Sequence, residues 1–333
     1  AVLVSQLVAR GVKEAVEDSS GNAGASFAAY AAAAGIKSRI FVPASASGPK
    51  RSQIEAYGAE LIEIPGPRSE AARAVQMEAA RGVPYASHAY MPFGSAGIAT
   101  IAYEIWEQSG FQAPQAIIIP AGNGTLVLGA WIGFNDLKKA GLITTIPRIF
   151  AVQAKNCAPL YAAHYQHASE PSRINASPTL AEGIAIAEPI RGEQILAAVR
   201  RSNGTFVTVT EDEIHTSMSA MHRQGFYIEP TAAATIAAIS NLVQTHPGID
   251  QWISVFTGHG LKSTEKIMTI QEHFGSTREL NVAWVGDGNN VCNSLLLAAG
   301  ALGMNMAVGC PQGYDPDKGI LSRAQEMAAK NKC

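Results

Sequence analysis

The chain has 333 residues, of which 47% are hydrophobic and 16% are charged, and its formal net charge is −2. This length is enough for two or more domains, and the composition is that of a compact α/β protein, not of a disordered or fibrous one. The sequence has no basic excess and no Lys/Arg block. It therefore argues against nucleic acid or a membrane surface as a partner and favours a small molecule.

The cysteines and the longest apolar stretch indicate where the chain works. The four cysteines, at 157, 292, 310 and 333, are scattered without CxxC spacing, and no secretory leader is recognisable. We therefore expect a reducing, cytoplasmic setting and no metal bound through these cysteines. Residues 294–310 form the longest apolar stretch, but glycines interrupt it, so we expect a buried helix followed by a strand rather than a membrane span.

Segments typical of strands and helices alternate along the first half of the chain. In order, they are strand EAVEDSS, helix NAGASFAAYAAAAG, strand SRIFVPA, helix GPKRSQIEAYGA, strand AELIEIPG, helix SEAARAVQMEAARG, strand VPYASHA, helix GIATIAYEIWEQSG, strand QAIIIPAG, a helix over about 125–139 and strand PRIFAVQA. This alternation predicts βαβ units that build a mostly parallel sheet covered on both faces.

The second half continues the pattern after a polar interval. Residues 156–177 have few periodic apolar positions, which predicts a surface excursion. Thr210 and Glu213 have the spacing of a capping box, and an alanine-rich helix over about 231–245 leads to strand QWISVFTG. The last 67 residues predict strand LNVAWVGDG, helix NSLLLAAGALG, strand MNMAVGCP and a terminal helix. This βαβ piece cannot close a sheet by itself.

Three polar turns follow apolar strands. They are SSGNAG, PAGNGT and TGHGLK, which begin at residues 19, 120 and 257. Carboxyl ends of parallel strands meet at one edge of a sheet, and helix N-termini there attract anions, so the turns predict a phosphate-accepting site. Taken alone, SSGNAG is also compatible with an ordinary βα turn, and PAGNGT matches neither a Walker loop nor G-x-G-x-x-G.

Four motifs together carry a family resemblance over residues 1 to about 265. SSGNAGASFAAYAA, PAGNGT, EPTAAA and TGHGLK occur in this order. By them the chain resembles the pyridoxal-phosphate (PLP) enzymes of fold type II, the tryptophan-synthase-β fold, and most of all the threonine synthases. The resemblance implies a PLP-dependent lyase that converts O-phosphohomoserine to threonine and phosphate by β- and γ-elimination and replacement. Dehydratase and sulfhydrylase relatives remain alternatives.

The same resemblance assigns roles to individual residues. It implies that Asn22 bonds the pyridoxal ring oxygen, that the loop formed by Gly122, Asn123, Gly124 and Thr125 holds the phosphate, and that Thr257 faces the pyridine nitrogen. A neutral hydroxyl there implies an unprotonated ring nitrogen. Ser19 and Ser20 are the expected substrate contacts. Lys50 and Arg51 stand where threonine synthases approach a phosphorylated substrate, but two solvated charges at a helix start are an equal alternative.

The family's Schiff-base lysine has no counterpart in this sequence. It belongs to a Ser-Phe-Lys-Asp-Arg-Gly-type turn shortly before the position of Ala1, and neither Lys13 nor Lys262 matches it. Without this amine we expect PLP binding to be weak or lost and turnover to be impaired or absent. The first residue is not methionine, so we expect an N-terminally truncated fragment. The alternative is a non-catalytic fusion remnant that binds phosphate or PLP.

A second resemblance begins near residue 267. IMTIQEHFG, VAWVGDGNNVCNSLLLAAGALGM and CPQGYDPD resemble the domain linker and the start of the ornithine-binding domain of ornithine carbamoyltransferase. This implies that Asn290 contacts the ornithine backbone; a generic Rossmann-like turn is the alternative. The family's carbamoyl-phosphate loop is lacking, so we expect no carbamoyl transfer.

The two resemblances predict the domain organisation. We expect a smaller, truncated PLP-enzyme α/β domain over 1–95, a larger one over 96–265, and a Rossmann-like βαβ fragment over 267–333. The implied partner is a small amino-acid substrate. Dimers are usual for the family, so the resemblance also implies a homodimer.

Overall fold

The structure is a computed structural model that describes residues 1–19, 21–44, 48–66, 68–87, 89–91, 93–263, 281–288 and 290–331. The chain divides into two compact units, Ala1–His259 and Gly260–Cys333. The finer boundary predicted within the first unit, between residues 95 and 96, stays a prediction.

The first part of unit 1 contains a three-stranded parallel sheet in the order β1-β2-β3. Its elements are α1 (Val2–Ala9), β1 (Glu14–Glu17), α2 (Asn22–Ala33), β2 (Lys37–Pro43), α3 (Gly48–Ala56), β3 (Glu60–Ile64) and α4 (Arg68–Ala80). The segment VPYASHA was expected to be another strand, but its described residues form only an isolated bridge between Tyr85 and Val16. Pro84 lacks an N–H and contributes only its carbonyl, which accepts from the Val16 amide at 2.9 Å.

The rest of unit 1 holds a second sheet of four parallel strands in the order β6-β5-β4-β7. The elements are α5 (Phe93–Ile98), α6 (Thr100–Gln108), β4 (Ala116–Pro120), α7 (Thr125–Lys139), β5 (Arg148–Ala154), α8 (Pro159–Tyr165), a 3₁₀ turn (Glu182–Ile184), α9 (Gly192–Arg201), β6 (Thr205–Val209), α10 (Glu211–Arg223), α11 (Pro230–Thr245) and β7 (Trp252–Ser254). Every residue of β4 is buried, as expected for a central parallel strand covered on both faces. The predicted parallel α/β architecture is confirmed.

Two expectations for this part of the chain were wrong in detail. The helix predicted from GIATIAYEIWEQSG is two helices, α5 and α6, joined at a tight turn in which the Ala102 amide donates to the Ala99 carbonyl at 3.0 Å. The predicted surface excursion over 156–177 contains α8, which buries Leu160. Buried Gln153 on β5 accepts from the Leu160 amide at 3.0 Å and so satisfies the start of this helix from another element.

The residues of unit 2 from 281 onwards that the structure describes form a βαβα arrangement. It contains β8 (Asn281–Val285), α12 (Asn290–Leu302), β9 (Asn305–Gly309) and α13 (Lys318–Asn331), after a 3₁₀ turn at Gly260–Ser263. β8 and β9 pair in parallel, and both alternate between exposed and half-buried residues. The apolar stretch 294–310 is therefore a helix followed by a strand, as predicted. In the part of the chain that the structure describes, no helix is long and apolar enough to cross a membrane.

Candidate active site

The glycine-rich turn after β4 forms the uncapped start of helix α7. Gly124 has a φ of +70° and is the N-cap of α7, which has no side-chain cap, so the amide groups of the first turn have no capping side chain. A left-handed φ at this position favours glycine. Asn123 and Thr125 are half-buried on either side of it. The start of a 15-residue helix without a side-chain cap has positive potential, which suits a phosphate.

Gly122 lets the glycine turn approach a second segment closely. A Cβ at Gly122 would lie 2.7 Å from the Gly183 carbonyl oxygen, closer than real Cβ contacts come. A Cβ at Gly183 would in turn lie 2.8 Å from the Thr231 hydroxyl oxygen. The turn after β4, the 3₁₀ turn and the start of α11 therefore meet without side chains between them. Bulkier residues at the two glycines would separate these segments.

Thr257 follows β7 and contacts Glu229, the N-cap residue of α11. Its hydroxyl donates to Glu229 Oε1 at 3.0 Å, and the Glu229 amide donates to the Gly258 carbonyl at 3.1 Å. β7 is the neighbour of β4 in the sheet, with Ile118 in register with Ser254. The glycine turn and Thr257 therefore emerge at the same edge of one sheet. Glu229 contacts the turn that contains Thr257, and Thr231 lies against Gly183 of the 3₁₀ turn.

The SSGNAG turn lies at the carboxyl end of β1, in the other sheet of unit 1. Ser19 is buried, and its hydroxyl accepts from the Gly21 amide at 3.3 Å. Asn22 is exposed as the first residue of α2, whose start has no side-chain cap. Ser20 lies outside the described residues. Among the described hydrogen bonds, none joins Ser19 or Asn22 to the edge formed by β4 and β7.

A buried acidic cluster precedes this turn. Glu17 and Asp18 are 1% and 6% exposed, and the Tyr85 hydroxyl donates to Asp18 Oδ1 at 2.7 Å. Burial is the main cause that raises the pKa of Tyr85, and the hydrogen bond to Asp18 raises it further. Tyr85 therefore remains a neutral hydrogen-bond donor to the Asp18 carboxylate at physiological pH.

The remaining predicted residues are placed as follows. Asn290 begins α12 in unit 2, but its side chain lies outside the described part of the structure. The same holds for the side chains of Lys50 and Lys262. Arg51 forms an ion pair with Glu63 on β3, and Lys13 is exposed just before β1.

Sequence reasoning assigned no role to Glu229, Gly183 or Thr231. Glu229 and Thr231 lie in the quoted motif EPTAAA, where a carboxylate directly before a helix-starting proline was an available signal. Gly183 had no signal, because its importance comes from two neighbours that are about 60 and 48 residues away in the chain.

Comparison with known families assigns this geometry to a class of protein. The family model "Pyridoxal-phosphate dependent enzyme" matches residues 1–258. A second model, "Aspartate/ornithine carbamoyltransferase, Asp/Orn binding domain", matches residues 278–332. The chain belongs to the pyridoxal-phosphate dependent enzymes. Its C-terminal part is similar to the Asp/Orn binding domain, in agreement with both predicted resemblances.

Individual relatives are threonine synthases. The chain is 31% identical over 261 residues to "Threonine synthase" of Methanocaldococcus jannaschii and 30% identical over 259 residues to "Threonine synthase" of Methanosarcina acetivorans. Each alignment covers 76% of this chain and 64% of the relative. The chain thus spans less than two thirds of the length of these two relatives.

Solved structures agree on the fold. The chain superposes on the structure of maize serine racemase with a TM-score of 0.66 and 19% identity, over 80% of both chains. It superposes on the crystal structure of a threonine deaminase from T.th. with a TM-score of 0.64 and 22% identity, over 78% of this chain and 81% of the other. The predicted PLP fold type II is confirmed.

Proposed function

We propose that residues 1–259 form the cofactor-binding body of a threonine-synthase-like lyase that converts O-phosphohomoserine to threonine and phosphate. The observation that carries this proposal is the shared edge of β4 and β7, where the uncapped start of α7 and the hydroxyl of Thr257 emerge together. In this proposal the start of α7 binds the phosphate of PLP, and the Thr257 hydroxyl contacts a polar atom of the ring of the same cofactor.

The residues present fit pyridoxal phosphate. A Cβ at Gly122 would collide with the 3₁₀ turn and one at Gly124 with Ile195, so the turn requires glycine at both positions, and half-buried Asn123 and Thr125 flank Gly124 at the uncapped start of α7. In this proposal these four residues hold the phosphate, Thr257 meets the pyridine nitrogen and Asn22 bonds the ring oxygen. When bound, PLP supplies the electron sink for bond breaking next to the amino group of the substrate. The chain supplies the phosphate cradle and fixes the ring.

The substrate side of the proposal rests on the SSGNAG turn. Ser19 and Ser20 would contact the amino-acid substrate. Ser19 is buried beside Asp18, which is bonded to Tyr85, so a substrate group reaching it would enter a polar, desolvated environment. We also propose that the protein is a homodimer and that it works in the cytoplasm. In unit 2, we propose that Asn290 contacts the backbone of an ornithine-like ligand.

A PLP titration followed by fluorescence tests the binding part. Thr125→Val should weaken binding about tenfold or more, because a hydrogen bond to a charged phosphate is worth about 1.5–3 kcal/mol. Thr100→Val is the matched control, since Thr100 is also the first residue of a helix but lies outside the proposed cradle. If the parent chain does not bind PLP, or if both variants bind equally, the proposal is wrong.

Turnover is tested separately by incubating the loaded chain with O-phosphohomoserine and measuring threonine and phosphate. We expect little product from the chain alone, since neither Lys13 nor Lys262 matches the family's Schiff-base lysine. We expect product after a small primary amine is added, because the amine can replace the missing amino group. PLP binding without turnover under both conditions would favour the alternative, a non-catalytic PLP-binding remnant. An enzymatic rate without added amine would show that a lysine of this chain serves.

A further inference from the structure

Two loops of unit 2, one after β8 and one after β9, run side by side at the carboxyl ends of these strands. The Gly286 amide donates to the Gly309 carbonyl at 3.0 Å, and the Gly288 amide donates to the Tyr314 carbonyl at 2.6 Å. A Cβ at Gly288 would collide with the backbone of Asp315, so the backbones of the two loops meet directly there. The path of one loop therefore fixes the path of the other.

Each loop places a cysteine beside the other loop. Cys310 is the first residue after β9, and Cys292 lies in the first turn of α12, which follows the loop after β8. The residue next to Cys292, Asn293, accepts through its Oδ1 from the Asp317 amide at 3.1 Å. The start of α12 is thus attached to the far end of the loop that Cys310 begins. Hydrogen bonds before and after the two cysteines hold their backbones together.

The two thiols contact each other but differ in their access to solvent. Both cysteines are free, and the Cys292 thiol is hydrogen-bonded to the Cys310 sulfur. Cys292 is fully buried and packs in the core of unit 2, whereas Cys310 is half-buried. Burial is the main cause that raises the pKa of the Cys292 thiol, and the neighbouring Cys310 raises it further. A reagent in solution therefore reaches Cys310 first.

This arrangement differs from that of an ordinary core cysteine. A single buried cysteine behaves as a small apolar residue and is chemically inert. Two free thiols in contact can form a disulfide with little movement of the backbone, and the exposed part of Cys310 gives a reactant a point of attack.

We propose that Cys292 and Cys310 are a site of reversible disulfide formation that reacts with low-molecular-weight disulfides. The Cys310 thiolate attacks one sulfur of the small disulfide, which forms a mixed disulfide and releases one small thiolate. The Cys292 thiolate then attacks the Cys310 sulfur, and the second small thiolate leaves. Each leaving thiolate takes up a proton that a cysteine has released. The two cysteines are oxidised, and the small disulfide is reduced to two thiols.

The proposed site agrees with the reducing setting that the sequence favours. Inside such compartments, protein disulfides are usually transient and respond to the redox state. The new bond would tie the start of α12, where Asn290 lies, to the end of β9. This inference concerns unit 2 and does not depend on PLP binding by unit 1.

The test is equilibration of the full chain with mixtures of reduced and oxidised glutathione, followed by acid quenching and peptide mass mapping. We expect a peptide pair linked through Cys292 and Cys310 that dithiothreitol separates again. The native chain should form this link about tenfold or more favourably than the same chain unfolded in urea, because the fold holds the two thiols in contact.

Three substitutions distinguish the roles of the thiols. Cys292→Ser removes the thiol that completes the second step, so glutathione should stay attached to Cys310. Cys310→Ser should leave the buried Cys292 unmodified. Cys157→Ser, the matched control, removes a buried cysteine of unit 1 and should leave the link between Cys292 and Cys310 unchanged.

The measurement on the parent chain needs no substitution and decides the proposal even if a variant does not fold. The proposal is wrong if both thiols of the native parent stay reduced in oxidised glutathione. It is equally wrong if the native chain forms the link no more favourably than the unfolded chain, or if Cys310 pairs with Cys333 instead.

Discussion

Replacing Gly122 by alanine tests the close approach on which the candidate active site depends. The new Cβ would lie 2.7 Å from the Gly183 carbonyl oxygen and 3.1 Å from the Ile184 Cα, and both of these neighbours are backbone atoms. Ordinary contact begins at 3.4 Å, so the two segments must separate by about 0.7 Å. A side chain could rotate away, but here the turn after β4 or the 3₁₀ turn itself must move.

The expected loss of free energy of unfolding follows from this rigidity of the backbone. Adding a methyl group to a closely packed site costs about 1–3 kcal/mol when the backbone has to shift. For a unit of this size, each kcal/mol lowers the midpoint of thermal unfolding by about 2–4 °C. The displaced cradle should also bind PLP more weakly, by about tenfold for each 1.4 kcal/mol of lost phosphate contact.

Gly183→Ala is the matched control for this prediction. Its Cβ would meet the Thr231 side chain, with the hydroxyl oxygen at 2.8 Å, and that side chain can rotate. We expect Gly183→Ala to lower the midpoint of thermal unfolding by less than Gly122→Ala does. Adding Thr231→Ala to Gly183→Ala should remove the remaining decrease. Thermal unfolding of the four proteins measures this. If Gly122→Ala unfolds at the parent temperature, the two segments do not approach each other this closely.

Three further predictions concern other parts of the chain. Thr210→Ala should lower the free energy of unfolding by about 1 kcal/mol in urea titrations, because it removes the capping box with Glu213. Since burial and Asp18 raise the pKa of Tyr85, the folded chain keeps a proton that the unfolded chain loses near pH 10, so stability falls as pH rises beyond that value. Tyr85→Phe should weaken this dependence in unfolding measured between about pH 8 and about pH 11. Val285→Lys should reduce self-association in light scattering without changing unfolding, because Val285 is 89% exposed on β8.

Each of these has a contrasting measurement. Lys138→Ala changes the last turn of α7 and leaves the capping box intact. It should therefore lower the free energy of unfolding by less than Thr210→Ala does. Burial also raises the pKa of Tyr103 and Tyr227, so part of the alkaline loss should persist in Tyr85→Phe, and complete persistence would contradict the assignment. Val308→Lys should destabilise unit 2, because Val308 packs against its core. If Val285→Lys and Val308→Lys changed the unfolding of unit 2 equally, Val285 would not be on the exposed face of the sheet and Val308 on the core face.

The sequence predicted well wherever local rules decide the structure. Helix α7 begins at Thr125 and ends at Lys139, as its apolar periodicity and the preceding glycines indicated. The capping box at Thr210 was likewise confirmed, because both of its partners lie within one turn of helix. The division into two family resemblances was evident because each set of motifs is contiguous in the chain.

Two of the failures share a physical cause, which is that the deciding partner is distant in the chain or on another element. Helix α8 begins where it does because Gln153, on β5, satisfies its first amides. The VPYASHA segment is only a bridge because Val16, 69 residues before Tyr85, is its single pairing partner among the described residues.

The sequence by itself determined the fold class, most of the succession of strands and helices, and the family, because each depends on local patterns of apolar, glycine and capping residues. Only the tertiary structure decided how the candidate site is assembled. It brought Gly183 against Gly122 and turned the Thr257 proton toward Glu229. Such contacts depend on how strands from distant parts of the chain line up at one sheet edge, and no local pattern encodes that alignment.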